Sequence, residues 1–291
     1  MGFVRQIHKK STPDGKLTLY LAKREIIDHV SHVDPIEGVV VLDDEYLHKK
    51  ICGQSVILNS YGEGKQCGVY YKVRVFIAND KEEPIKKRNS VEMSIRKFQW
   101  APSGTGKQPC TIIRKDFMFS PGELELEATL DKPLYFHGEN IAVNITVRNY
   151  SNKTVKRYIV TAMQNIDISM FTQGHYRTVV ACVDSQEGCP IEPGSSFQKT
   201  VMLAPSTSES TDKRGVAVDG DETKENIRLA SSTLVGSEEK VKDIFGIQIS
   251  YAIRVKLMLG AMAGELVAEM PFLLMAPRGD QQIGEEKKIK I

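Results

Sequence analysis

The residues that most often carry out chemistry are scattered through this sequence. The six His stand singly, among them His29, His32 and His137, and a lone His in a β-rich chain is usually a polar surface or turn residue. Catalysis would need a nucleophile beside a base, a phosphate-binding glycine loop or a metal cluster, and the sequence shows none of these signatures. We therefore expect no catalytic residue and a protein that is not an enzyme.

Metal ligands and cofactor motifs are equally sparse. Asp219 and Asp221 flank a glycine, but two carboxylates without further spaced ligands are weak grounds for a cation site, and the solubility of a loop explains them better. The five Cys are odd in number and include no C-x-x-C pair, which argues against a disulfide framework and against zinc. We expect reduced thiols, no metal and no cofactor.

Arg96 lies in a strand that is predicted from an apolar alternation. Val91, Met93 and Ile95 share one face of the predicted strand, so Arg96 points to the other face. From the sequence alone, such an arginine is usually a solvated residue.

The composition is that of an ordinary folded chain, with 41% hydrophobic and 26% charged residues. A formal net charge of +2 predicts no general attraction to nucleic acid or anionic lipid. The first residues lack an apolar signal region, and no apolar run approaches the roughly 20 residues of a membrane span. We expect a cytoplasmic protein of two β-rich domains, given 291 residues.

Alternating hydrophobicity predicts the strands that must position these residues. Apolar side chains recur at every second position in Glu123–Leu130, Ile141–Val147 and Ile247–Leu259. Gly38–Leu42 is a continuous apolar run, which predicts a strand covered on both faces, and Val91–Trp100 is predicted as one strand. Turn residues separate these runs, and no long stretch has a helical period, so the prediction is an all-β chain built of β-sandwiches.

Proline and glycine mark the predicted domain boundary. The hinge is placed in Ala101–Pro109, which gives an N-terminal sandwich over residues 1–104 and a C-terminal sandwich over 105–277. Residues 278–291 are predicted to be a polar tail. The charged segment Ser206–Ser232 is too long for an ordinary connection, so it is either functional or disordered.

At this point a family resemblance becomes specific, because several long motifs match. They are Lys9-Lys10, KLTLYLAKREIIDHV (Lys16–Val30), DPIEGVVVLDDEYL (Asp34–Leu47), KRNSVEMSIRKFQWAP (Lys87–Pro102), LDKPLYFHGENIAVNITVRNYSNKTVK (Leu130–Lys156), RGVAVDGD (Arg214–Asp221) and LASSTLV (Leu229–Val235). The sequence resembles the arrestin family, and within it the visual arrestins of arthropods. The resemblance implies two cupped antiparallel, immunoglobulin-like β-sandwiches joined by a short hinge.

The implied activity is that of a non-enzymatic adaptor. Such a protein binds a phosphorylated G-protein-coupled receptor, of the rhodopsin type here, desensitises its signalling and supports its internalisation. It is recruited from the cytoplasm to the plasma membrane or photoreceptor membrane, and it contacts the membrane only through the receptor.

The resemblance also assigns roles to single residues. The positions that match the phosphate-contacting positions of the family are Lys9, Lys10, Lys23, Arg24, Lys87 and Arg88. Arg96 becomes the buried arginine of a polar core, paired with Asp219 and Glu25, and an arriving phosphate competes for it and releases the loop of Asp219. Arg177, Arg254 and Lys256 fall at or near an inositol-phosphate or phosphoinositide site, although Ile159 and Met163 replace two neighbouring basic positions.

The sequence departs from the family in three respects. Between Lys50 and Ile51 it lacks a block that supplies several N-domain strands, the receptor-sensing finger loop and an amphipathic helix, so the N-domain is expected to be incomplete. After Met275, neither a clathrin-binding box nor the basic strand that folds back on the N-domain is visible. Glu25 stands where the family has Asp, and Asn226 stands where a second acidic residue is usual.

Two alternative functions follow from these departures. The chain could be an inactive or dominant-negative isoform whose incomplete N-domain leaves exposed sheet edges prone to association. It could instead be a trafficking scaffold that acts through its C-domain alone.

Overall fold

The computed structural model describes residues 7–29, 31–46, 49–59, 68–78, 85–101, 106–118, 120–169, 173–207, 216–219, 228–234, 246–260 and 264–277. Over these residues the ordered elements are β-strands, apart from two 3-10 helices, η1 (Asp44–Tyr46) and η2 (Lys87–Asn89). The prediction of an all-β protein is confirmed. No helix in this part of the chain is long and apolar enough to cross a membrane.

The chain divides into two compact units. Among the described residues, those up to Trp100 form the first unit, and those from Ala101 form the second, except that Gly246 and Ile247 group with the first. The predicted boundary at 104/105 and the predicted tail over 278–291 lie outside the described residues, so both stay predictions.

The described residues of the first unit form three small sheets. Its strands are β1 (His8–Ser11), β2 (Leu17–Leu21), β3 (Glu25–Asp28), β4 (Gly38–Leu42), β5 (Lys50–Asn59), β6 (Gly68–Ala78), β7 (Ser90–Ser94) and β8 (Arg96–Gln99). One sheet has the order β1-β2-β4, a second has the order β5-β6-β7, and β3 pairs with β8 in parallel. Their buried faces meet in one apolar cluster that includes Leu17, Leu19, Val75, Val91 and Met93.

The predicted strand Gly38–Leu42 exists as β4, but the prediction that it is covered on both faces is wrong. Val40 and Leu42 pack against the apolar cluster, whereas Val39 is 61% exposed and Val41 is 50% exposed. Within the described residues, strand β4 lies at the edge of its sheet and pairs with β2 alone. The apolar run therefore predicted the strand correctly, but only one of its two faces is covered.

The predicted single strand Val91–Trp100 is two strands. Strand β7 pairs with β6, and then the backbone N–H of buried Ile95 donates to the carbonyl of Tyr71 at 2.9 Å. At Arg96 the chain changes neighbours, because its N–H donates to the carbonyl of Arg24 at 2.7 Å and β8 runs beside β3. The change of partner breaks the strand even though the apolar period continues to Ile95.

The second unit is a sandwich of two sheets. Its strands are β9 (Cys110–Phe117), β10 (Ser120–Leu130), β11 (Leu134–Phe136), β12 (Ile141–Asn149), β13 (Arg157–Ser169), β14 (Gln173–Ser185), β15 (Ser196–Leu203), β16 (Val218–Asp219), β17 (Arg228–Leu229), β18 (Gly246–Gly260) and β19 (Gly264–Met275). The orders are β15-β12-β10-β9 and β11-β19-β18-β13-β14, while β16 and β17 pair separately. Pairing is antiparallel except between β11 and β19.

The core of this sandwich follows the alternation read from the sequence. The predicted inward residues of β10 and β12, including Leu124, Leu126, Ile141 and Ile145, are fully buried. A ring contact between Tyr158 and Phe197, with centroids 5.6 Å apart, joins the two sheets across the interior. Each such buried apolar side chain stabilises the fold by roughly 1.5–3 kcal/mol.

Gly38 is required by the close approach of β4 to β2. A Cβ at this position would lie 2.4 Å from the Tyr20 carbonyl oxygen and 2.8 Å from a methyl group of Leu21. We predict that Gly38→Ala lowers the free energy of unfolding of the first unit by about 1–3 kcal/mol. Urea unfolding followed by the fluorescence of the single tryptophan, Trp100, reports on that unit. The neighbouring control Val39→Thr should change stability by less than about 0.5 kcal/mol, and equal effects of the two changes would contradict the prediction.

Candidate functional site

The lysine pair Lys9-Lys10 lies on β1, an edge strand of the first unit. Lys9 pairs in register with Tyr20 and Lys10 with Leu19, so the two side chains leave opposite faces of the strand. Both are exposed, and the Lys9 ammonium lies 5.6 Å from the centre of the Tyr20 ring. Neither forms an ion pair with any carboxylate in the described part of the chain.

A second exposed pair, Lys87-Arg88, lies on the short helix η2 immediately before β7. The helix is fixed by Asn89, whose side-chain amide donates to the Ile77 carbonyl at 2.7 Å. Ser90 adds a hydrogen bond from its hydroxyl to the Lys86 carbonyl at 2.9 Å. Over the described residues, Lys87 and Arg88 also have no carboxylate partner, so these charges face water.

Lys23, by contrast, is neutralised within the fold. Its ammonium contacts Asp34 Oδ2 at 2.8 Å, and His29 Nε2 lies 3.0 Å from the other oxygen of the same carboxylate. The hydrogen bonds from Lys23 and then His29 lower the pKa of Asp34 to about 2. Asp34 therefore stays ionised at neutral pH, and the pair is lost only in strong acid, as the pH falls below the usual range of an aspartate toward 2.

Arg24, Glu25 and Arg96 lie together where β3 and β8 run in parallel. Glu25 and Arg96 are register partners, and Arg96 Nη1 lies 3.7 Å from Glu25 Oε1. Arg24 Nε donates to the Ser94 carbonyl at 2.7 Å, and the Arg96 guanidinium lies 5.1 Å from the Phe98 ring centre. The side chains of Arg96 and Glu25 are 38% and 64% exposed, and the burial of Arg96 in a polar core that includes Asp219 of the second unit stays a prediction.

Asp219 belongs to the second unit, in the hairpin of β16 and β17. It pairs in register with Arg228, and its Oδ2 accepts a hydrogen bond from the Ser231 backbone at 3.1 Å. Arg96 belongs to the first unit, so the expected Arg96–Asp219 contact joins residues of different units and stays a prediction.

Two buried side chains fix the backbone on either side of Asp219. Gln164 donates to the Ala217 carbonyl at 2.9 Å and accepts from the Ala217 N–H at 2.8 Å. Tyr251 donates to the Ala230 carbonyl at 2.6 Å and accepts from Gln164 at 2.7 Å. Burial raises the pKa of Tyr251, so the hydroxyl stays protonated and keeps donating.

The three basic residues expected at an inositol-phosphate site do not form one cluster. Arg177 pairs in register with Asn165 on β13, whereas the Arg254 carbonyl accepts from the Thr161 hydroxyl at 3.4 Å. Four residues of strand therefore separate the two arginines along the sheet, a span of about 13 Å. Lys256 forms an ion pair with Glu265 at 2.8 Å, and the Arg177 side chain contacts His175 at 3.3 Å.

The described residues contain no group of three or more His, Cys, Asp or Glu side chains that could hold a metal ion. Asp221 lies outside them, so the Asp219 and Asp221 pair is not described as a whole.

Sequence reasoning missed the residues that hold the candidates in place. Gln164 does carry a signal, because it occupies an inward position between Ala162 and Ile166 where the pattern demands an apolar residue. A polar residue at such a position predicts a buried hydrogen bond. Asp34 carries no comparable signal, since its pairing with Lys23 depends on the turn after β3.

Comparison with known proteins identifies the family. The family described as arrestin (or S-antigen), C-terminal domain, matches residues 120–278. An arrestin homolog of Heliothis virescens is 39% identical over 345 aligned residues, which cover 94% of this chain and 90% of the relative. Phosrestin-2 of Calliphora vicina is also 39% identical, over 94% of this chain and 95% of its own, and the lateral-eye arrestin of Limulus polyphemus is 37% identical, over 94% and 84%. The chain belongs to the arrestin family, and it is accordingly a non-enzymatic adaptor of the kind that desensitises receptors.

The alignment lengths bear on the block that the sequence lacks. The aligned span of 345 residues exceeds the 291 residues of the chain, so the alignment must open gaps in this chain. A missing internal segment relative to these relatives is the simplest source of such gaps.

The anchoring of the Asp219 hairpin generates a stability prediction. Gln164→Met removes three hydrogen bonds and leaves the Ala217 N–H without its partner, while the Ala217 carbonyl keeps the Ala230 N–H at 3.0 Å, so we expect a loss of about 1–3 kcal/mol in the second unit. Hydrogen exchange at the Ala217 and Ala230 amides should accelerate, as measured by mass spectrometry. The exposed control Gln198→Met should leave both unchanged, and unchanged exchange in the Gln164 variant would show that this residue does not anchor the hairpin.

Proposed function

We propose that this chain binds phosphorylated segments of a rhodopsin-type G-protein-coupled receptor through the first unit, and so desensitises the receptor and supports its internalisation. The observation that carries the proposal is that some of the predicted phosphate ligands have a partner within the fold and others have none in the described residues. Lys9, Lys10, Lys87 and Arg88 are exposed and have no carboxylate partner in the described residues, so they are available to an anion. The protein would act from the cytoplasm and reach the plasma membrane or photoreceptor membrane through the receptor.

The chemistry of these four side chains suits a phosphorylated peptide. A phosphate ester carries about two negative charges and three acceptor oxygens at neutral pH. Lysine binds it as a point charge and arginine as a planar fork. Because Lys9 and Lys10 project to opposite faces of an edge strand, an extended segment lying along β1 would meet ammonium groups on both of its sides.

The remaining predicted ligands are already engaged, and this supports a second step. Lys23 is paired with Asp34, and Arg24 donates to the Ser94 carbonyl. Arg96, of the predicted polar core, lies 3.7 Å from Glu25. A phosphate that arrives at the free lysines can compete with the Asp34 and Glu25 carboxylates for Lys23 and Arg96, since it is more highly charged than a carboxylate. We infer that the Arg96, Glu25 and Asp219 set is the switch that such competition releases.

The names of the relatives support a visual receptor, since one of them is an arrestin of the lateral eye. Binding of inositol phosphates or phosphoinositides has weaker support. Arg254 and Lys256 share the outward face of β18, but Arg177 lies away from them, and Lys256 is held by Glu265. These two residues remain the candidates for that ligand.

The double substitution Lys9→Gln/Lys10→Gln tests the proposal. We expect the affinity for a multiply phosphorylated receptor-tail peptide to fall about tenfold at 0.1 M salt, because two exposed charge pairs are lost. The difference should shrink at higher salt, because the screening length is about 10 Å at 0.1 M and falls as salt is added. Isothermal titration at two ionic strengths measures both effects.

The control Lys107→Gln/Lys153→Gln removes the same charge from the second unit and should bind like the parent chain. A salt-independent loss in the Lys9 and Lys10 variant would indicate misfolding rather than a lost phosphate contact. Failure of the parent chain to prefer the phosphorylated peptide would overturn the proposal and favour an inactive isoform or a scaffold that uses the second unit.

The pairing of Lys23 generates a prediction of opposite sign. Asp34→Asn removes the carboxylate that neutralises Lys23, so we expect the affinity for the same phosphopeptide to rise about threefold. The gain should disappear in the double variant Lys23→Gln/Asp34→Asn, which forms a cycle with the two single variants. Asp116→Asn, an exposed carboxylate of the second unit, is the matched control. A gain that persists without Lys23 would mean that Asp34 acts only through net charge.

A further inference from the structure

Strand β4 leaves one of its two hydrogen-bonding edges open. The Ala22 N–H donates to the Glu37 carbonyl at 3.1 Å, and the Asp43 N–H donates to the Lys16 carbonyl at 2.9 Å, so the odd-numbered residues face β2. The N–H and C=O groups of Gly38, Val40 and Leu42 must then point away from β2. In the described part of the chain these groups have no hydrogen-bond partner. We call this side of β4 the valine edge.

The side chains at the valine edge are suited to a second strand. Val39 and Val41 project from one face and are 61% and 50% exposed, whereas Val40 and Leu42 pack on the interior. Folded proteins usually protect an edge strand with lysine, proline, a bulge or a covering element. Strand β4 contains no lysine or proline, and its register with β2 is regular. A strand of this kind is a template for pairing with another extended segment.

The charges at the two ends of β4 indicate what that segment contains. Glu37 stands before the strand, and Asp43 and Asp44 stand after it, all exposed. Glu45 is excluded from this set because it pairs with Lys16. A segment with basic residues on both flanks would place opposite charges beside Glu37 and Asp43, and such cross-strand pairs are favourable.

The same charges argue against a second copy of this chain. Antiparallel pairing of β4 with itself about Val40 would set Glu37 opposite Asp43 of the copy, at both ends of the pair. Like charges directly opposite one another destabilise strand pairing. Shifting the register by two residues in one direction sets Asp43 opposite Val39 and Glu37 opposite Glu45, and in the other direction it sets Glu37 opposite Val41, so each shift faces an acid with an apolar or acidic residue.

We propose that the valine edge is a docking site for an extended segment of a partner protein, with β-branched residues at its centre and lysine or arginine on both flanks. The segment adds a strand to the β1-β2-β4 sheet. Its backbone satisfies Gly38, Val40 and Leu42, and its apolar side chains cover Val39 and Val41. No phosphate is required, so this site is independent of the proposed phosphate ligands.

The test uses fluorescent peptides and the full chain. The probe is KKVTVTVKK, acetylated and amidated at its ends, with binding followed by fluorescence anisotropy. Comparison peptides are EEVTVTVEE and two versions of the probe that are N-methylated at the valine amides or at the threonine amides. Only one set of amides can face β4, so one of the methylated peptides must lose binding while the other keeps it.

Variants of the chain locate the site. Val39→Lys/Val41→Lys should weaken the binding of the basic probe at least about tenfold, whereas the shape-matched Val39→Thr/Val41→Thr should weaken it about threefold or less. Glu37→Gln/Asp43→Asn should weaken it about threefold, with the difference shrinking at 0.5 M salt. Trp100 fluorescence checks that each variant is folded. If Val39→Lys/Val41→Lys unfolds, Glu37→Gln/Asp43→Asn and Val39→Thr/Val41→Thr still test the site.

The proposal is overturned by any of three results. They are no binding at millimolar probe, equal binding of the acidic and basic peptides, or binding that neither methylation affects. A concentration-dependent dimer in analytical ultracentrifugation, abolished by the lysine variant and accompanied by no peptide binding, would make a second copy the occupant and also overturns it.

Discussion

The small number of strands in each described sheet of the first unit is the constraint on which both proposed binding surfaces depend. Backbone N–H and C=O groups must be paired or solvated, and only a strand with neighbours on both sides satisfies them inside a sheet. As far as the chain is described, β2 is the interior strand of the β1-β2-β4 sheet, and β1 and β4 are its edges. The Lys9-Lys10 pair lies on one of these edges and the valine edge is the other, whereas Lys87 and Arg88 lie on η2. In the second unit, sheets of four and five strands close over a common core and leave a smaller share of edge.

The fold could be predicted from the sequence where one strand face meets one core. In Glu123–Leu130 the alternation identifies the strand and its buried face, because a period of two has a single reading in a half-buried strand. For Gly38–Leu42 the same reasoning predicted the strand correctly but predicted its burial wrongly. Apolar residues show that a strand forms, but whether it is covered depends on which strands lie beside it, and that is a property of topology. The break at Ile95 is similar, since the apolar period continues while the neighbour changes from β6 to β3.

The candidate site divides in the same way. The positions of the cations could be taken from the resemblance, but their availability could not, because it depends on carboxylates that the fold brings to them. Lys23 meets Asp34 across a turn, and Arg96 meets Glu25 through the parallel pairing of β8 with β3, which are far apart in the sequence. Lys9 and Lys10 meet no carboxylate in the described residues, for lack of an acid at the facing positions of β2. Gln164 is the exception, because its polar side chain at an inward position of β13 predicts a buried hydrogen bond from the sequence alone.

The two edges of the first sheet are expected to select opposite charges. They lie two strand spacings apart, about 10 Å, and share β2, whose hydrogen bonds are taken on both sides. A phosphorylated segment is attracted to Lys9 and Lys10 and repelled by the acids that flank β4. A basic segment is attracted to those acids and repelled by the two lysines. Misdirected docking on either edge therefore costs like-charge contacts, which is how an interface excludes the wrong partner. Because β2 is already saturated by its two neighbours, filling one edge requires no rearrangement at the other, and a phosphorylated and a basic segment can occupy the sheet together.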